Sequence, residues 1–251
     1  MYEINICHLY PDLMNLCGDR GSIIALTRRC EWRGIQVRVK SVSLNDPLSN
    51  EDYDILFIGG QNLDQSIIHD DLKKGKGKVI REAVEANKVI LAVCGGLQLL
   101  GRYCRTQDGR DLECIGALDL WTHEGDNRLM GNLIFECDFL KNEHFDGLIA
   151  GFENHSGKTW LGSGVKPMGR VVTGFGLNGE DGYEGAIYKN TYCTYAQGSL
   201  LPKNPALTDH LITLALKNRY SDFESLEQLD DGFERAARDS IIKSLMGKKN
   251  F

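Results

Sequence analysis

The sequence predicts a doubly wound α/β fold: a mostly parallel sheet between helical layers, with a C-terminal helix. Three observations carry this. Residues 53–58 and 88–93 are short apolar runs, as strands buried on both faces require. Both runs end in glycine-rich turns, Gly59-Gly60 and Cys94-Gly95-Gly96. Helical apolar spacing separates the runs, the alternation that builds a parallel sheet.

In chain order, residues 2–8 read as the first strand. Residues 21–32 read as a helix, with Ile23, Ile24 and Leu26 on a broad apolar side. Residues 35–42 alternate Ile35, Val37 and Val39 with polar partners, as a strand does. Helices are expected over 78–86 and 97–103. The second half holds strand-like segments at 115–122, 129–137, 170–174 and 185–189. Its glycine-rich stretch 162–185 reads as hairpins and loops. Asn204-Pro205 reads as an N-cap and first helical position, opening a helix through about Asn218. Leu226, Leu229, Phe233, Ala237, Ile241 and Leu245 recur every three or four residues, which marks an amphipathic helix. That helix either packs back on its own domain or docks a partner. The expected division is a main domain over 3–204 and a helical extension over 205–251.

Bulk properties narrow the function. The 251 residues are 42% hydrophobic and 25% charged, an ordinary globular composition. A net charge of −6 argues against a general nucleic-acid binder, which needs a basic face for phosphates. No apolar stretch approaches the ~20 residues that span a bilayer, and the first residues lack a basic leader, so a cytoplasmic protein without direct membrane insertion is expected. Eight cysteines with no C-x-x-C pair fit small buried hydrophobes in a reducing compartment, not a zinc site. The basic run Lys73-Lys74-Gly75-Lys76-Gly77-Lys78 has the wrong order for a phosphate loop and reads as a solvated loop.

Cys94 needs a different explanation. A strand running into a cysteine, two glycines and a helix has the shape of a nucleophile elbow. The glycines permit a tight turn and close substrate approach. The following helix aims free N–H groups at the sulfur, which favours thiolate. The Gly95 N–H is a natural oxyanion donor, and a backbone N–H at Gly60, on the same sheet edge, could complete the hole. The plain alternatives are a buried cysteine at a βα turn and an ordinary glycine turn.

At these residues the sequence resembles a family. Cys94-Gly95-Gly96-Leu97-Gln98-Leu99-Leu100, with Ile55-Leu56-Phe57-Ile58-Gly59-Gly60 upstream, is similar to the class I glutamine amidotransferases, in the branch with cobyric acid synthase. Further stretches narrow the likeness to the GatD family, the glutaminase subunits of lipid II isoglutaminyl synthases: residues 8–15, Gly18-Asp19, Gly21–Leu26, Asn127–Asn132, Gly151–Gly157 and Leu200–Asn204. The likeness spans about residues 3–220. It implies the amidotransferase-type sheet, with Cys94 attacking the side-chain amide of glutamine to give a γ-glutamyl thioester and ammonia. It implies that Arg128 holds the glutamine substrate, as a bidentate partner for a carboxylate, with Gly60, Gly95 and Gln98 also in the substrate site. A surface ion pair is the plain alternative for Arg128. His155, in Glu153-Asn154-His155, fits a structural hydrogen bond at least as well as a catalytic role. The likeness also implies a MurT-like ATP-dependent ligase as partner, carrying the ATP and metal; this chain would hold no cofactor and no metal.

The pattern breaks in one place above all. The family motif T-Y-x-H-G-P-x-L-P-K-N appears here as Thr194-Tyr195-Ala196-Gln197-Gly198-Ser199-Leu200-Leu201-Pro202-Lys203-Asn204. Gln197 stands at the histidine position, and glutamine cannot accept a proton at neutral pH. Ser199 offers no acidic third member. The loop Gln61-Asn62-Leu63-Asp64 lacks the family's longer glycine run. Two further readings therefore stand beside the glutaminase: a catalytically impaired or non-catalytic partner subunit, and a glutaminase serving another synthetase such as a cobyric acid synthase.

Overall fold

The computed structural model describes residues 1–15, 19–60 and 65–247. Cys17, Gly18 of the expected motif and the loop Gln61-Asn62-Leu63-Asp64 lie outside the described residues. The chain opens as β1 (Glu3–Leu9), α1 (Asp19–Glu31), β2 (Gln36–Val42) and β3 (Ile55–Ile58). It continues through α2 (Gln65–Asp71), α3 (Gly77–Glu85), β4 (Val89–Val93) and α4 (Gly95–Leu100). A strand-rich stretch follows: β5 (Tyr103–Arg105), β6 (Asp111–Glu113), β7 (Leu120–Glu136), β8 (Leu148–Leu161), β9 (Lys166–Thr173), β10 (Tyr183–Tyr188) and β11 (Thr191–Thr194). Helices α5 (Leu200–Lys203), α6 (Pro205–Arg219) and α7 (Gly232–Met246) close it.

One eleven-stranded sheet runs through the molecule in the order β2-β1-β3-β4-β11-β10-β9-β7-β5-β6, with β8 also on β7. The five strands β2-β1-β3-β4-β11 pair in parallel. Every residue of β3 and β4 is buried, as continuous apolar strands between helical layers should be. The expected α/β fold with a parallel central sheet and a C-terminal helix is the observed one. Beyond β11 the pairing turns antiparallel through β10, β9, β7 and β8. Of the segments 115–122 and 129–137, expected as two strands, residues 120–122 and 129–136 belong to one long β7 while 115–119 is not strand, and β8, unexpected as a strand, is its partner.

Other expectations change. The basic run is helical instead of a loop, a π-helical turn over Leu72–Lys76 joining α2 to α3, although Lys73, Lys74 and Lys78 are exposed as expected. Lys76 is buried there, donating to Asp71 and to the Ser43 carbonyl, while the Tyr10 hydroxyl donates to the same carboxylate at 2.8 Å. Burial of one lysine follows from that carboxylate, which needs a cation. The helix expected over 97–103 starts at Gly95 and stops at Leu100, and Tyr103 already belongs to a strand. Asn204 precedes α6, but its side chain makes no capping bond. Instead it exchanges hydrogen bonds with the backbone of Ala150 on β8, at 2.9 Å each way.

Leu226 and Leu229 precede α7 instead of lying on it. Ile242 and Leu245 on α7 pack on Ile134, Leu148, Ala150 and Val172 of the antiparallel sheet. Arg238 pairs with Asp146 at 3.1 Å. Further back, Arg29 on α1 binds Asp209 of α6 and Asp231, both at 2.6 Å, and Arg33 binds Asp209 at 2.7 Å. This buried charge knot ties α1, α6 and the start of α7 together. Among the described residues, no helix is long and apolar enough to cross a membrane.

Candidate active site

Strand β4 delivers Cys94 at the carboxyl edge of the parallel half, where open α/β sheets bind ligands. Its backbone has φ 53° and ψ −110°. A non-glycine residue held there costs on the order of 1–3 kcal/mol, and the surroundings must over-determine it. They do. The Cys94 N–H donates to the Thr194 carbonyl on β11 at 2.9 Å. A Cβ on Gly95 would lie 2.6 Å from the Gly60 carbonyl oxygen, and one on Gly96 would lie 2.5 Å from that of Ile58. Both positions therefore admit only glycine, and the end of β3 is pressed against the elbow. Gly60 itself has φ 52°, with backbone of Met14 filling the space a Cβ would take. The structure thus brings Gly60 and Gly95 together beside Cys94, whose residue is 3% exposed.

The strand beside the elbow leads to Gln197. Thr194 pairs with Val93, so Cys94 and the Ala196-Gln197 segment leave adjacent parallel strands at the same edge. Gln197 is buried and bridges Phe152 of β8 through both backbone groups, at 2.8 and 3.2 Å. Its side-chain Nε2 donates to the Asn154 carbonyl at 3.3 Å. Asn154 Oδ1 in turn accepts from Arg128 Nε. Arg128 is exposed. A guanidinium at the rim beside the Gln197 segment, with its other N–H groups available, can receive a carboxylate.

Behind these residues lies a buried polar layer. The His155 ring stacks on Tyr195, with centroids 3.6 Å apart and planes 2° from parallel. Its Nδ1 donates to the Gly157 carbonyl at 2.7 Å, and its Nε2 lies 3.7 Å from Glu153. His155 is thus held between the Tyr195 ring and the Gly157 carbonyl, inside the buried layer. The Tyr195 hydroxyl accepts from Gln98 Nε2 at 3.0 Å and meets Thr159 Oγ1 at 2.8 Å. Gln98 is thus turned toward this layer and lies against Gly157. Glu153 is fully buried and accepts the N–H groups of Phe175 and Gly176 at 2.7 and 2.9 Å. Glu184, also fully buried, accepts from Thr194 Oγ1 at 2.6 Å and the Tyr195 N–H at 2.7 Å. Burial pushes its carboxyl up to about 7, against the lowering by those two donors.

Sequence reasoning did not reach Tyr195, Thr159 or Glu184 as parts of the site. Glu184 carries no local signal: it is one acid in the strand Tyr183–Tyr188, and only the fold reveals that this face is inward. Among the described residues, no group of three His, Cys, Asp or Glu side chains is placed to hold a metal ion.

Comparison with known proteins agrees with this geometry. The CobB/CobQ-like glutamine amidotransferase domain matches residues 5–205. The chain is 41% identical over 232 residues to the glutamine-hydrolyzing lipid II isoglutaminyl synthase subunit GatD of Streptococcus pneumoniae, covering 92% of this chain and 87% of that protein. It is 38% identical over 243 residues to the GatD subunit of Staphylococcus aureus, covering 96% of each. A glutamine amidotransferase of Thermotoga maritima superposes with a TM-score of 0.52 at 14% identity, over 98% of this chain and 96% of that one, a likeness of fold alone.

Proposed function

The chain belongs to the CobB/CobQ-like glutamine amidotransferase family, and we propose that it is the glutamine-hydrolysing subunit of a lipid II isoglutaminyl synthase. The two GatD relatives, each matched along nearly its whole length, support this choice over a cobyric acid synthase, for which a Methanothermobacter relative is matched over only 41% of its length. The observation that carries the reading is the strained elbow at Cys94, packed between glycines whose side-chain space is filled by backbone.

In this reading Cys94 sulfur attacks the side-chain amide carbon of glutamine, and the oxyanion is met by backbone N–H groups at Gly95 and the end of β3. The tetrahedral intermediate expels ammonia, which needs one proton. Water then cleaves the thioester, giving glutamate and restoring Cys94. Arg128 receives the α-carboxylate of the glutamine. The ammonia passes to a MurT-like ATP-dependent ligase that amidates the glutamate carboxyl of lipid II, and ATP and metal belong to that partner. The setting is the cytoplasm, and the pathway is peptidoglycan synthesis.

Gln197 favours a second reading, a subunit of low or no glutaminase activity. Its amide is engaged with the Asn154 carbonyl and its backbone is locked to Phe152, so it is neither a base nor free to recruit one. Ammonia release from glutamine, measured with and without the co-expressed ligase, separates the two. Release that depends on Cys94 supports the glutaminase. Absence of release in the assembled complex, with lipid II amidated from free ammonia, establishes the second reading.

A further inference from the structure

Behind the elbow, at the edge of the sheet, two thiols meet. Cys104 lies on β5 opposite Leu112, and the Cys114 N–H donates to the Arg102 carbonyl at 3.0 Å. The two cysteines are therefore diagonal neighbours across a two-strand hairpin. Their sulfurs are 3.4 Å apart, with the Cys114 thiol directed at Cys104. A disulfide requires about 2.05 Å, so closure brings the two sulfurs ~1.4 Å nearer. Cys104 is 6% exposed, whereas Cys114 is half-buried and can meet a small oxidant. Cys104 Sγ also lies 3.9 Å from the carbonyl of Gln98, the residue of α4 whose amide holds Tyr195.

We propose that Cys104 and Cys114 are a redox-active dithiol that closes to a reversible disulfide under peroxide. The Cys114 sulfur attacks one oxygen of hydrogen peroxide, giving a sulfenic acid and water. The Cys104 sulfur then displaces that hydroxyl, which leaves with the Cys104 proton as a second water. Two thiols are oxidised by two electrons and one peroxide is reduced. Closure redirects the Cys104 sulfur from the Gln98 carbonyl to Cys114, so the link lies against the helix that follows Cys94. The neighbouring thiol and burial both hold the Cys114 proton on sulfur, above the ordinary thiol range. This inference stands independently of the glutaminase reading.

The test uses the reduced full chain, exposed to hydrogen peroxide, alkylated and digested with trypsin without reductant. Residues 103–105 and 111–128 should emerge joined, two hydrogens lighter than their sum, and separate on adding dithiothreitol. Cys94→Ser should give the same linked peptide, because closure is direct. Cys114→Ser should leave Cys104 alkylatable. The proposal is overturned if both thiols of the wild-type chain remain alkylatable after peroxide, if either goes to sulfinic acid without linkage, or if linkage disappears in Cys94→Ser.

Discussion

The amide of Cys94 donates to the carbonyl of Thr194 at 2.9 Å, and this bond joins the strand of the nucleophile to the strand that leads to Gln197. Position 197 is therefore set by the same ladder as the sulfur. The chemistry available at the site turns on one side chain in a fixed frame.

Gln197→His should raise ammonia release at least about tenfold, near the low end of the ~10²–10⁴-fold range of general-base catalysis. One imidazole nitrogen can donate to the Asn154 carbonyl, as Gln197 does now, which leaves the other to accept a proton. Thermal stability should barely move. A fast wild type that is unchanged by the substitution would show that another group is the base.

A glutamine-like diazo-ketone should label Cys94, and Cys94→Ala should lower any glutamine hydrolysis by at least about a thousandfold, as removal of a working nucleophile does. Peptide mapping that places the label on another cysteine contradicts the assignment.

Gly95→Ala should abolish labelling and cost about 1–3 kcal/mol, since its Cβ would fall 2.6 Å from the Gly60 carbonyl oxygen and backbone would have to move. Denaturant midpoints with an unchanged slope measure the cost.

Glu184 makes stability depend on pH. Its carboxyl titrates at about 7 in the fold against 4.5 in the open chain, so between those values the folded state binds more protons. Stability is then highest below about 4.5 for this group, falls as pH rises, and the loss is complete above about 7. A shift of this size corresponds to on the order of 3 kcal/mol. Glu184→Gln should flatten that slope, as seen in melting temperatures between pH 5 and 8. An unchanged slope would mean that the carboxyl is ionised throughout.

Asp209→Ala leaves Arg29 with only Asp231 as a carboxylate partner and leaves Arg33 bonded only to backbone carbonyls. Breaking one side of a buried ion pair typically costs 3–5 kcal/mol, and with Asp231 in place about 3 kcal/mol is expected by denaturant titration.

The parallel half was legible because β3 and β4 are apolar throughout and end in glycines, so residue type alone marks both strand and elbow. The β8 strand was not, for a physical reason. Its inward positions include Glu153, His155, Gly157 and Thr159, while Phe152 and the partly exposed Trp160 face outward. An inverted pattern of polar-in and aromatic-out defeats any reading that equates apolar with buried. Only the fold shows that Glu184 and Thr159 join Tyr195 and His155 in one buried layer. Cys94 and the departure at Gln197 were readable as motif, but the lock on Gln197 comes from Phe152 and Asn154, distant in sequence. The lysine run misled because Lys76 answers to Asp71 and Ser43, not to its basic neighbours.

The elbow ends β4, an interior strand of the sheet, flanked by β3 on one side and β11 on the other. Backbone amides in such a place exchange with solvent only when the whole domain opens. The amide of Cys94, bonded to the Thr194 carbonyl, should therefore be among the slowest to exchange. On gradual heating, loss of its reactivity and global unfolding should be one event, with no folded but inactive species between them.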